Sequence, residues 1–111
     1  MVAPASRLGE DTYEVRIRNG TQQPVVELYL APHRADKDVW GRDALATSGP
    51  LTFDKSITLV VQGPSPYFDL RVRFAGGVER VWRSCDLNRV AAMWLDLDPA
   101  DGRARLNWKN Q

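Results

Sequence analysis

Residues 67–84 read YFDLRVRFAGGVERVWRS, and their pattern decides the fold class. Phe68, Leu70, Val72 and Phe74 alternate with Asp69, Arg71 and Arg73. That is the period of two of a strand with one apolar and one wet face. Gly76 and Gly77 follow, and adjacent glycines supply positive φ without steric cost. The stretch is therefore a β-hairpin, and cross-strand pairs choose its register. A two-residue Gly76-Gly77 loop sets Arg73 opposite Arg80 and Leu70 opposite Arg83. A three-residue loop, Ala75 to Gly77, sets Phe74 opposite Val78 and Leu70 opposite Trp82. It also sets Arg73 opposite Glu79 and Asp69 opposite Arg83. Each favourable pair contributes roughly 0.2–1 kcal/mol, so the longer loop is predicted. Its cost is Arg80 beside Val72, which predicts an Arg80 stem lying over the apolar face with its head at the sheet edge or against a carboxylate.

The same alternation recurs on both sides of the hairpin. Thr12 to Arg18 alternates Tyr13, Val15 and Ile17 against Glu14, Arg16 and Arg18. Asn19-Gly20 is a turn signal, and Pro24 opens a second strand, Val25 to Ala31, predicted to pair antiparallel with the first. Residues 32–50, PHRADKDVWGRDALATSGP, form one long loop with a short helical turn near Asp43 to Ala46, anchored by Trp40. Leu51 to Phe53 reads as a short strand-like entry. Ser56 to Gln62 is apolar on both sides, through Ile57, Leu59, Val60 and Val61, as a central sandwich strand would be. Arg89 to Leu97 and Arg103 to Trp108 flank the compact turn DLDPADG and make a final hairpin. Seven to eight short strands, spaced by roughly 8–12 residues with no long helical pattern, predict an all-β, antiparallel β-sandwich. Residues 1–10 are read as a flexible leader and 11–109 as a single domain.

Composition narrows the function classes. The chain has 111 residues, 43% hydrophobic and 26% charged, which suits one globular domain with one core. Fifteen basic and 14 acidic residues leave a net charge of +1, and no basic run offers a nucleic-acid arm. No apolar run approaches the roughly 18 residues of a membrane span, so no membrane insertion is expected. The four tryptophans, Trp40, Trp82, Trp94 and Trp108, are expected to fill much of the core. Cys85 is the single cysteine, so no internal disulfide forms. The start, MVAPASRLGED, lacks a basic stretch followed by an apolar run. That reads as a cytoplasmic protein or one whose export signal is removed.

No acid, base and nucleophile set is evident, so the chain reads as non-enzymatic. His33 is the sole histidine, and Cys85 follows a strand without a glycine-rich elbow. No cofactor motif is present. Asp96, Asp98 and Asp101 with Gly102 crowd oxygen ligands, but without the EF-hand spacing or a closing Glu. They read first as a turn whose Asp side chains bond their own backbone. Asp36, Asp38 and Asp43 form a second acidic set around Trp40.

Short motifs along residues 12–108 resemble a family of small, usually exported bacterial β-rich proteins with no established activity. The parallels are Asn19, Thr21, Val25, Leu28 and Tyr29, then Trp40, Asp43 and Leu45. They continue with Phe68, Asp69, Leu70, Arg71, Val72, Phe74 and Gly77, then Trp82, Asp86 and Leu87. The resemblance implies the β-rich fold and a periplasmic or secreted habitat. Such proteins carry two cysteines where this chain has Pro66 and Asn88, and the missing bridge fits a cytoplasmic or host-associated relative instead.

These readings make the long loop the expected working surface. It would present Trp40, with His33, Asp38, Arg42 and Asp43, to a protein partner. The alternatives are a divalent-cation site at the loop aspartates and a small-molecule carrier with an aromatic interior. Monomer and edge-strand homodimer both remain open.

Overall fold

The computed structural model describes residues 7–9, 12–34, 40–87, 90–97 and 102–110. Eight strands follow in order among them: β1 (Arg7–Gly9), β2 (Thr12–Asn19), β3 (Val25–Pro32), β4 (Ser56–Gln62), β5 (Tyr67–Phe74), β6 (Glu79–Asp86), β7 (Val90–Leu97) and β8 (Ala104–Asn110). They form a sandwich of two sheets. The larger has five strands, in the order β1-β2-β7-β8 with β4 also on β2, and the smaller has three, β3-β5-β6. All pairings are antiparallel except β2 with β7. No described helix is long and apolar enough to cross a membrane.

The Tyr67–Ser84 hairpin has the predicted three-residue loop. Phe74 N–H donates to Val78 C=O at 2.9 Å, and Gly77, at φ 93°, closes the turn. Leu70 faces Trp82, Arg73 faces Glu79 and Val72 faces Arg80, as the pair argument requires. The predicted Asp69–Arg83 pair forms at 3.1 Å, but the register shifts beyond it, so that Phe68 faces Cys85. One residue is inserted there. Ser84 takes φ 55°, the left-handed region, and makes a β-bulge whose amide turns toward Asp69. Arg80 lies half-buried and lines a cleft of about 490 Å³ with Thr21, Gln23, Phe74 and Val78.

The expected hairpin of β2 with β3 is overturned. β2 pairs β4 and β7 in the larger sheet, and β3 pairs β5 in the smaller. Asn19-Gly20 is a crossing point between sheets. Gly20 N–H donates to Leu95 C=O at 2.7 Å, and a Cβ at Gly20 would stand 2.5 Å from that oxygen. Glycine is required here by close approach to β7, with no positive φ involved. The Asn19 carboxamide, wholly buried, donates to the carbonyls of Gln23 and Leu51 and accepts from Thr21 N–H and hydroxyl. Every polar atom of that side chain is thus matched, as burial demands.

Three further expectations change. β4 is an edge strand of the larger sheet, with Val60 58% exposed, and not a central one. Leu51 to Phe53 contributes only a bridge, Leu51 to Val25. The tryptophans do not fill the core: Trp40, Trp82 and Trp94 are half-buried and Trp108 is exposed. The core is instead aliphatic, with Tyr13, Phe68 and Phe74 as its aromatics. Tyr13 and Phe68 meet edge to face across the two sheets, with ring centroids 5.9 Å apart.

Candidate functional site

The wet face of the hairpin is where Trp40 comes to rest. β3, β5 and β6 place Tyr29, Arg71 and Val81 in one row, with Glu27, Arg73 and Glu79 in the next. The Arg71 guanidinium pairs with Glu79 and lies 5.2 Å from the Tyr29 ring centre. Tyr29 hydroxyl donates to Glu27 at 2.6 Å, and Arg73 donates to the same carboxylate at 3.0 Å. The Tyr29 bond, helped by Arg73, holds the Glu27 carboxyl below its usual range and raises the Tyr29 phenol. Trp40 arrives from the loop and completes the cluster. Its ring lies 6.5 Å from Tyr29, with the Arg71 and Arg83 guanidiniums at 5.9 and 5.6 Å. Each such cation–π contact is worth about 0.5–1 kcal/mol near the surface.

Asp69 anchors this face from below. Its side chain is only 5% exposed. Oδ1 accepts from His33 Nδ1 at 2.8 Å and from Ser84 N–H at 3.0 Å, and Oδ2 from Arg83 at 3.1 Å. A carboxylate oxygen only accepts, so the His33 Nδ1 is the donor in this bond. One buried anion therefore orients His33 and Arg83, and Arg83 meets Trp40.

The sequence-derived residues divide accordingly. Trp40 and His33 share this face. Asp43 does not join it: its Oδ1 accepts from Leu28 N–H and Leu45 N–H, both at 2.9 Å, and so closes the free edge of β3. Arg42 is exposed beside it. Asp36 and Asp38 lie outside the described residues, as do Asp98 and Asp101. Asp96 receives Arg105 at 2.7 Å, which holds its carboxyl below the usual range. Among the described residues no three His, Cys, Asp or Glu side chains gather as a metal site. Tyr29 and Arg71 are missed as site residues because their alternation marks only a solvent face, and the Asp69–Arg83 pair is expected only as a register pair. The signal that points to them is the concentration of arginine opposite an aromatic.

Cys85 sits beside Phe68 in the bulged part of β6. Burial first, and the Asp69 charge second, push its thiol up to about 11. It is therefore a packing residue with little thiolate at neutral pH.

No family model matches the chain, and no curated protein matches it. Among solved structures it is similar to an NMR structure of a protein from Eubacterium rectale, with a TM-score of 0.65 over 95% of each chain at 13% identity. That likeness shows the fold. It extends over the β-rich architecture and carries no activity with it.

Proposed function

We propose that this domain is a non-enzymatic binding module that docks a protein partner on the outer face of its three-stranded sheet, around Trp40. The observation that carries the reading is the Trp40–Tyr29–Arg71–Arg83 cluster, held from below by Asp69. Trp, Tyr and Arg are the residue types that dominate binding hot spots, and here they are pre-positioned by ion pairs, so little side-chain entropy is lost on docking. A photo-crosslinking residue at Val81, on this face, tests it against one at Arg16, on the outer face of the other sheet. The expected result is a protein captured from Val81 alone. Its affinity falls by about 30-fold or more with Trp40→Ala, on the scale of a hot spot. Equal capture from both positions, or a partner indifferent to Trp40→Ala and Arg83→Ala in folded variants, removes the reading.

A second reading rests on the cleft of about 490 Å³ whose lining includes Arg80, Phe74 and Val78. Its size and mixed lining suit a small molecule with an anionic head and an apolar body. Medium-chain fatty acids are the probe. A rise in melting temperature that Arg80→Gln abolishes supports it, and no rise ends it.

A further inference from the structure

β4 has the sequence of a strand flanked on both sides and the position of a strand flanked on one. SITLVVQ contains no charge, no proline and no glycine, and it pairs with β2 in unbroken register from Ser56 to Gln62. Such an edge is a template for another strand, and proteins normally blunt it. The other long edges of this molecule are blunted. Ala44 N–H and the Asp43 carboxylate occupy the carbonyl and amide of Leu28 on β3. β6 carries Glu79, Arg80, Arg83 and Asp86 and is broken by the Ser84 bulge. β8 carries Arg105 and Lys109. Among the described residues nothing pairs with the outer edge of β4.

We infer that the edge of β4 is the site where a second copy of this chain pairs, antiparallel, about a two-fold axis at Leu59. The backbone phase permits it. Asn19 N–H donates to Lys55 C=O at 2.9 Å, so by alternation along the register Ile57, Leu59 and Val61 direct their amides to β2. Ser56, Thr58, Val60 and Gln62 direct theirs outward. With the axis at Leu59, Thr58 meets the second copy's Val60 and Ser56 meets its Gln62, each exchanging backbone hydrogen bonds. Ile57 meets Val61, and Leu59 meets itself. No charge opposes another, so the edge is self-complementary, as a two-fold interface requires. The inner side chains give the same direction. Ile57, Leu59 and Val61 face the core but stay half-buried, because a sheet of five strands overhangs a sheet of three. The second copy's β4 would cover them and turn this strand into the central one its sequence describes.

Sedimentation equilibrium from low micromolar to millimolar concentration tests the pairing, together with amide hydrogen exchange. The expected species approaches twice 12.5 kDa, with exchange slowed at Thr58 and Val60. Val60→Lys, at an exposed position, weakens association by about tenfold or more, the equivalent of ~1.4 kcal/mol. Thr58→Glu mixed with Val60→Lys restores a heterodimer, because each added charge faces its opposite. A single 12.5 kDa species throughout overturns the inference, even if Thr58 and Val60 are protected. So does a dimer indifferent to Val60→Lys, or one in which those amides exchange freely.

Discussion

Asp69 faces three donors at once: an imidazole, a guanidinium and the amide of a residue in the left-handed region. Removing Asp69 leaves the Ser84 amide unmatched beside a buried position, while His33 and Arg83, 33% and 45% exposed, can turn to water. Asp69→Ala is expected to lower stability by roughly 1–2 kcal/mol, seen as a shift in the urea midpoint. Asp69→Asn keeps an acceptor for Ser84 N–H and should cost about half as much. Cys85 makes a different prediction, through pH. Its folded-state value, about 11, lies above the ordinary 9.0. The native protein therefore holds the thiol proton more tightly than the unfolded chain. The stability tied to it is complete below about 9 and is lost as pH rises toward about 11. The gap in unfolding free energy between the wild type and Cys85→Ala should narrow as pH is raised through that window. At about pH 8 a thiol reagent should react slowly with native protein and rapidly in urea. Equal reaction rates in both conditions would contradict the buried-thiol account.

The segment from Trp40 to Pro50 looks like a loop in sequence, yet it supplies Leu45 to the core and Asp43 to the sheet edge. Leu45 is 3% exposed, and Asp43 caps the β3 edge at Leu28. Leu45→Ala should cost roughly 2–4 kcal/mol, as for a buried leucine in a strand or helix. Asp43→Ala should cost about 1–2 kcal/mol by uncovering the Leu28 and Leu45 amides. Arg42→Ala, at an exposed site, should stay within about 0.5 kcal/mol. Chemical denaturation ranks these three variants for covering; in a separate binding assay, a partner lost with Trp40→Ala but retained by a folded Arg42→Ala belongs to the aromatic cluster. The elements that sequence predicts well are those whose pairing is local. β5 pairs β6 across three residues, and β7 pairs β8, the next strand in the chain, so alternation and short separation suffice. The pairings it misses join distant segments, β2 with β7 and β3 with β5. Nothing in Asn19-Gly20 distinguishes a hairpin from a crossing, because the deciding contact is Leu95 C=O, far along the chain. The site was half legible for the same reason. Trp40 and His33 stand out as residue types, whereas Asp69, Arg71 and Arg83 acquire meaning only when β3 and the loop are laid against them.

At the scale of the molecule, two sheets of unequal size must be held in one arrangement, and Asn19 is where their connections meet. It ends β2, accepts the Asp54 amide at its carbonyl, and bonds Gln23 and Leu51 through its carboxamide nitrogen. Leu51 in turn bridges Val25 at the start of β3. The larger sheet is thereby tied to the smaller through one wholly buried polar side chain. Asn19→Asp tests that arrangement with almost no change of shape. It replaces a donor by an acceptor that faces two carbonyls, and it buries a charge with no cation against it. The expected loss at neutral pH is roughly 3–5 kcal/mol, a large share of the 5–15 kcal/mol typical of a domain. At about 4–8 °C per kcal/mol, the melting temperature should fall by at least ~12 °C. Burial raises the pKa of such a carboxyl above the ordinary value of about 3.9, so the deficit should shrink as pH is lowered toward about 4 and the group takes up a proton. Asn19→Ala leaves the same carbonyls without donors but adds no charge, so its deficit should not depend on pH in that way. If Asn19→Asp melts within a few degrees of the wild type, or if both variants follow the same pH course, the two sheets are held together by their apolar contact alone.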